Sequence, residues 1–140
     1  MNPNLIQPQM NLSKDDTVKV RRLTKQYLNR LEQKDLAGAM SMLRYWNHEQ
    51  IEDLPVMLAQ KEAQVLSMFL GMKAEIDHII FYKDYDSEVK YTVTMFERTD
   101  PNDHRPNKAS FLIRPVRHRG QWYLTLADKQ TDKVKSEIKH

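Results

Sequence analysis

The side chain best suited to move a proton near neutral pH is imidazole, and the chain has five: His48, His78, His104, His118 and His140. No two of them stand four residues apart, and no HExxH run occurs, so the helical spacing of a zinc site is missing and no metal is assigned. His78 is the one placed to matter. Residues 74–83 alternate, and His78 shares a face with Ile76, Ile80 and Tyr82, where it would stand on the wall of a cavity as a general base. Its neighbour Asp77 points to the other face and cannot pair with it. A histidine so placed is more often a hydrogen-bonded wall residue than a catalyst, so no catalytic residue is assigned.

Other chemistries lack material. Without cysteine there is no disulfide, thiolate nucleophile or Cys-ligated metal. There is no P-loop, GxGxxG or GxSxG, and three glycines leave little for a phosphate cradle. Ser41, Ser67 and Ser110 stand in no triad signature. No cofactor is implied. Tyr27, Trp46, Tyr82, Tyr91 and Trp122, with His78, are candidates for lining a pocket for a small apolar ligand, although aromatics on apolar stripes are more often plain core. Arg114, Arg117 and Arg119 belong to a stretch from His104 to Arg119 that has no acid, and are candidates for meeting an anionic partner. Alternation divides them, Arg117 and Arg119 to one face and Arg114 to the other, where a nucleic-acid groove wants cations and exposed aromatics together. With 22 Lys+Arg against 19 Asp+Glu, the net charge of +3 also argues against nucleic acid.

These residues must be positioned by helices followed by strands. Val20, Leu23, Tyr27, Leu28 and Leu31 recur at spacings of three and four and predict a long opening helix, capped at Ser13, Asp15 or Asp16. Lys34-Asp35 breaks it, and Leu36, Ala39, Met40 and Leu43 mark a short second helix with Gly38 inside. Arg44 to His48 reads as a turn. A third helix begins near Asp53 with Pro55 in its first turn, buries Leu58, Val65, Leu66, Phe69 and Met72, and ends at Gly71. The period then falls to two, predicting strands over 74–83, 88–98, 109–118 and 122–127, with Arg119-Gly120 a tight turn and Pro115 pressing its strand towards an edge or bulge. The expected architecture is α+β, with N-terminal helices packed on a curved four-stranded antiparallel sheet.

At 140 residues, 40% hydrophobic and 29% charged, the composition is that of one globular domain. The expected organisation is a flexible lead-in over 1–14, a domain over 15–128 and a polar tail over 129–140. No run is long and apolar enough to span a bilayer, and Met1 to Leu12 has no apolar core of a signal peptide. The composition suits an exported protein whose leader is absent and a cytoplasmic one equally.

Three stretches carry a family resemblance. VRRLTKQYLNRLEQKDLAGAMSML looks like the opening helix, break and second helix of the NTF2-like superfamily, the cone-shaped fold of nuclear transport factor 2 and ketosteroid isomerase. MKAEIDHIIFYKDYDSEVKYTVTMFE is similar to that superfamily's first strand pair, and RHRGQWYLTL to its closing hairpin. More narrowly, the chain resembles the DUF4878-like group of bacterial exported and lipoprotein domains. The resemblance implies a pocket at the mouth of the curled sheet and a non-enzymatic binding or interaction module. It also leaves open an isomerase- or dehydratase-type enzyme using a pocket His or Tyr, or a structural subunit of an envelope assembly. Pairing of two copies through the sheet is a further implication, which Ile79, Phe81 and Phe96 would support if they face outward.

Overall fold

Ser13 and Asp16 start the first helix. The Asp16 carboxylate accepts from the Ser13 main-chain N–H at 2.9 Å, the reciprocal arrangement of a capping box, and α1 runs from Lys14 to Glu32. The computed structural model describes residues 13–83 and 86–126. The tail expected over 129–140, and nearly all of the lead-in over 1–14, lie outside the described residues. The stripe of α1 buries Val20, Thr24, Tyr27, Leu28 and Leu31. Thr24 is the polar member, and its hydroxyl donates to the Val20 carbonyl one turn back at 2.8 Å, so burial leaves it satisfied. Lys34 ends the run in the left-handed region, at φ 65.

Helix α2, Leu36–Ser41, begins on Asp35, whose carboxylate accepts from the Gly38 N–H at 2.9 Å. This gives Gly38 a reason: a Cβ there would run into the Asp35 carboxylate that caps the helix. Helix α3 spans Val56–Ser67 behind Pro55, shorter at both ends than its sequence predicts: Asp53 belongs to a strand, and the helix stops four residues before Gly71. Gly71, at φ 82, then turns the chain and donates to the Leu31 carbonyl of α1 at 2.9 Å.

The sheet corrects the sequence reading. It has six strands rather than four, in the order β2-β1-β6-β5-β4-β3, with β1 Leu43–Asn47, β2 Gln50–Asp53, β3 Lys73–Lys83, β4 Asp86–Thr94, β5 Lys108–His118 and β6 Gln121–Leu126. The segment read as a turn is therefore a strand. It makes a hairpin with β2 through His48-Glu49, in which His48 takes φ 55 without help from glycine. It also pairs parallel with β6, Leu43 opposite Leu124, so the sheet is mixed and not wholly antiparallel. Pro115 lies where β5 has lost β4, whose pairing ends at Ile113, and retains only β6, a place where a missing N–H costs little.

The helices cover one face. Inward from β3 to β6 stand Ile76, Val89, Tyr91, Val93, Ile113 and Leu124, packed with Tyr27, Leu28, Leu31 and Leu66. Fully burying each such aliphatic side chain contributes about 1.5–3 kcal/mol.

A bulge at Asp77 decides which side chains of β3 look inward. Ile76 pairs with Tyr91 and His78 with Lys90, so Asp77 has no partner of its own and the alternation shifts by one. Beyond the bulge, Ile79 and Phe81 join Ile76 on the inner face, against Val20, Val89 and Trp122. His78 and Ile80 go to the outer face with Lys90 and Glu88. The expected grouping of Ile76, His78 and Ile80 on one face is thus overturned. Ile79 and Phe81, packed against α1's Val20, lend no support to pairing through the open face.

Candidate functional site

Two helices and three strands converge on a cavity. Tyr27 from α1, Glu62 and Val65 from α3, Tyr91 from β4, Phe111 and Ile113 from β5 and Leu126 from β6 line a volume of about 700 Å³. Glu88, Lys90, Ser110 and Leu112 also border it. In register they alternate with Val89, Tyr91 and Phe111 and so belong to the outer face of the sheet.

The aromatic members are ordered by one another. Tyr91 stacks on Phe111 with centroids 5.4 Å apart and planes at 26°, and Tyr27 meets Tyr91 edge-on at 6.4 Å and 74°. Phe69 closes on the far side of Phe111 at 5.0 Å. Burial raises both phenols far above the ordinary tyrosine range, and the charge of Glu62 raises them further. Each phenol also perturbs the other, raising Tyr27 and opposing the rise of Tyr91. Both are therefore protonated over the physiological range and present O–H groups, not phenolates.

Glu62 is the polar member that the sequence reading missed. It is half-buried, and desolvation raises its carboxyl above the ordinary range. Among the described residues, no hydrogen bond or ion pair engages it. A signal for it existed: Glu62 stands four residues after Leu58 and three before Val65, inside the apolar stripe of α3.

The other candidates are dispersed. His78 lies on the outer face, its Nε2 2.8 Å from Glu88 Oε2, and has no part in the cavity. Tyr82 is half-buried towards the end of β3. Desolvation raises its phenol, with Glu88 and Asp86 adding to the rise. Trp46 stands on β1 against His118, with ring centroids at 5.4 Å. Trp122 is inward-facing but belongs to a separate cluster with Phe81 at 5.2 Å. Its indole N–H donates to Asp16 at 2.9 Å. Of the six candidates for the pocket wall, Tyr27 and Tyr91 meet in it.

The arginines are dispersed too. Arg117 turns inward, lies 5.7 Å over the Trp122 ring and pairs with Asp16 at 3.3 Å, its side chain only 19% exposed. Arg114 stands opposite Thr125, whose hydroxyl donates to the Arg114 carbonyl at 2.5 Å. Arg119 is exposed in the turn at φ 53. Phe96 lies beyond the end of β4 and is covered by the Arg105 guanidinium, 4.6 Å from its ring. Among the described residues, no three His, Asp or Glu converge as a metal site would need, and no helix is long and apolar enough to cross a membrane.

No protein-family model matches the chain, and no curated protein does. Two solved structures share its fold. An NTF-2-like protein of unknown function from Shewanella oneidensis MR-1 is 16% identical and superposes with a TM-score of 0.51, over 79% of this chain and 95% of that one. A protein of unknown function with a cystatin-like fold from Nostoc punctiforme PCC 73102 is 21% identical, with a TM-score of 0.52 over 84% and 91%. These likenesses support the architecture, helices against a mixed sheet, and carry no activity with them.

Proposed function

We propose that the chain is a binding module that holds a small, largely apolar molecule between α1, α3 and the inner face of the sheet. The observation that carries this reading is the cavity of about 700 Å³, within the range of small-ligand sites, with an aromatic and aliphatic wall bordered by Glu62, Glu88, Lys90 and Ser110. The Glu62 carboxyl would orient the occupant, while Phe111, Leu112 and Leu126 supply apolar contact.

Acid–base chemistry on a small molecule, the competing reading, retains the support of Tyr27 and Tyr91 but loses His78 to the outer face. Pairing of two copies through that face keeps the support of Leu112, 45% exposed. The narrower likeness to DUF4878-like exported domains agrees with a binding role and rests on the sequence stretches alone.

Titration of the ¹⁵N-labelled protein with tert-butylbenzene tests the reading. Amide shifts should centre on Val65, Phe111 and Ile113, and Val65→Trp, which places an indole in the cavity, should abolish them. Shifts that are absent, or that survive in Val65→Trp, would refute it.

A further inference from the structure

We propose that the solvent side of α1 is a docking surface for a short acidic segment of another protein, one that offers a row of Asp or Glu carboxylates. The surface lies apart from the cavity and does not depend on what the cavity holds. Val18, Arg21, Arg22, Lys25, Gln26 and Asn29 are all exposed and line a shallow groove of about 440 Å³ along the helix. They recur at spacings of three and four, which sets them on one face, opposite the buried stripe of Val20, Thr24, Tyr27, Leu28 and Leu31. At about 1.5 Å per residue, the stripe from Val18 to Asn29 is roughly 16 Å long.

The charge pattern carries the inference. From Thr17 to Leu31 the helix has five cations, Lys19, Arg21, Arg22, Lys25 and Arg30, and no acid. Arg30 is engaged, its guanidinium donating to the Gly38 carbonyl at 2.8 Å. Arg21, Arg22 and Lys25 have no hydrogen bond, ion pair or ring contact among the described residues. Arg21 and Lys25 stand four apart, and Arg22 and Lys25 three apart, so like charges repel where a surface helix ordinarily gains by pairing opposite ones. Carboxylates arriving along the stripe relieve that repulsion, and each guanidinium can hold one with two parallel N–H donors. Gln26 and Asn29 add amide donors, and Val18, 50% exposed, offers an apolar contact at one end. The surroundings select the kind of partner. No aromatic side chain lies on the stripe, so unstacked bases find no platform there. The apolar face of α1 is buried in the core and cannot enter a bilayer. Asp15, beside Lys14, and Glu32 are exposed towards the two ends, where a long polyanion or a flat anionic membrane would meet carboxylates.

Fluorescence anisotropy on the full chain at low ionic strength tests this with a labelled helical peptide of alanine and glutamate, its glutamates at i,i+4 spacing, and with the same peptide carrying Gln for Glu. The acidic peptide is expected to bind roughly tenfold tighter than the Gln peptide or better, and to weaken by roughly tenfold in Arg21→Gln/Arg22→Gln, the scale of two exposed charge pairs. Its binding should also fade as salt is added. Lys61→Gln/Lys73→Gln removes the same charge from exposed positions elsewhere and should leave the affinity unchanged. The α1 variant loses no described partner and eases a repulsion, so its thermal unfolding should match or exceed that of the wild type, and lost binding then reports the surface and not the fold. Lys25→Gln, a single exposed change, should weaken binding severalfold and serves if the double variant folds poorly. Equal affinity for the two peptides, binding that survives in both α1 variants, or an equal loss in Lys61→Gln/Lys73→Gln overturns the inference. Tighter binding to an oligothymidine or to phosphatidylserine vesicles, lost in the same α1 variants, overturns the acidic protein segment in favour of a phosphate-bearing partner.

Discussion

Removing the Asp16 carboxylate should loosen the start of α1 from the sheet. Asp16 accepts from the Ser13 N–H at 2.9 Å, from the Trp122 indole at 2.9 Å and from the Arg117 guanidinium at 3.3 Å. Its side chain is only 13% exposed, so water replaces few of these bonds when they are lost. Loss of a helix N-terminal cap costs about 1 kcal/mol. The Trp122 ring is 7% exposed, and its N–H left without an acceptor costs about 1–3 kcal/mol. The Arg117 pair adds at most about 1 kcal/mol, and Arg117 keeps its place over the Trp122 ring when the pair is lost. Asp16→Ala should therefore lose about 2–5 kcal/mol in urea unfolding, with a midpoint of thermal unfolding lower by roughly 10–20 °C for a domain of this size.

The pH dependence gives a second reading of the same variant. The hydrogen bond from Ser13, and then that from Trp122, hold the Asp16 carboxyl below its ordinary value. Its contribution is full above the unfolded value of about 4 and is lost as pH falls through the lower folded value. The gap between wild type and Asp16→Ala should accordingly narrow in acid. A loss below about 0.5 kcal/mol at pH 7 would show that the three bonds do not anchor the helix, and the reasoning would fail.

Two further outcomes are expected. Gly120 sits at φ 78 beside Arg119 at φ 53, a turn with both central residues in the left-handed region, and a Cβ on Gly120 would touch nothing within 4 Å. Gly120→Ala should cost about 1 kcal/mol of urea stability through backbone strain alone, and a neutral result would refute that account. The His78–Glu88 pair is 39% and 31% exposed, so a double-mutant cycle with His78→Gln and Glu88→Gln should give a coupling of at most about 1 kcal/mol, fading at 1 M salt. A larger, salt-insensitive coupling would mark that pair as more than a surface tie between β3 and β4.

The elements that sequence exposes best are those whose pattern is long and local. The α1 stripe from Val20 to Leu31 is unbroken, and its stop at Lys34-Asp35 is visible as a change of residue type. Helix α3 is announced by Pro55, although it ends at Ser67 rather than at Gly71. What escaped depends on pairing at a distance. Leu43–Asn47 is five residues with a turn that lacks glycine, and its parallel partner Leu124 lies far along the chain. The bulge at Asp77 leaves no mark in an alternating run, because one extra residue flips parity without changing composition. His78 was misplaced for that reason. The cavity was half legible: Tyr27 and Tyr91 lie on apolar stripes, whereas Glu62 sits between Lys61 and Gln64 and looks like solvent-facing helix until its spacing from Leu58 and Val65 is weighed.

The parallel seam between β1 and β6 has a consequence for how the chain folds and opens. Strands β3 to β6 form successive antiparallel neighbours, and β1 and β2 form a hairpin of their own. Each of these steps closes a short stretch of chain. Joining the two parts through Leu43 and Leu124 closes one of about 80 residues, for only two registered pairs, Leu43 with Leu124 and Arg44 with Thr125. Entropy is thus lost early along that coordinate and little hydrogen bonding is returned, which places the seam late in folding and first in partial opening. Amide exchange should be faster in Leu43–Asn47 than in Val89–Val93, and the β1–β2 hairpin should behave as a flap hinged on the rest of the sheet.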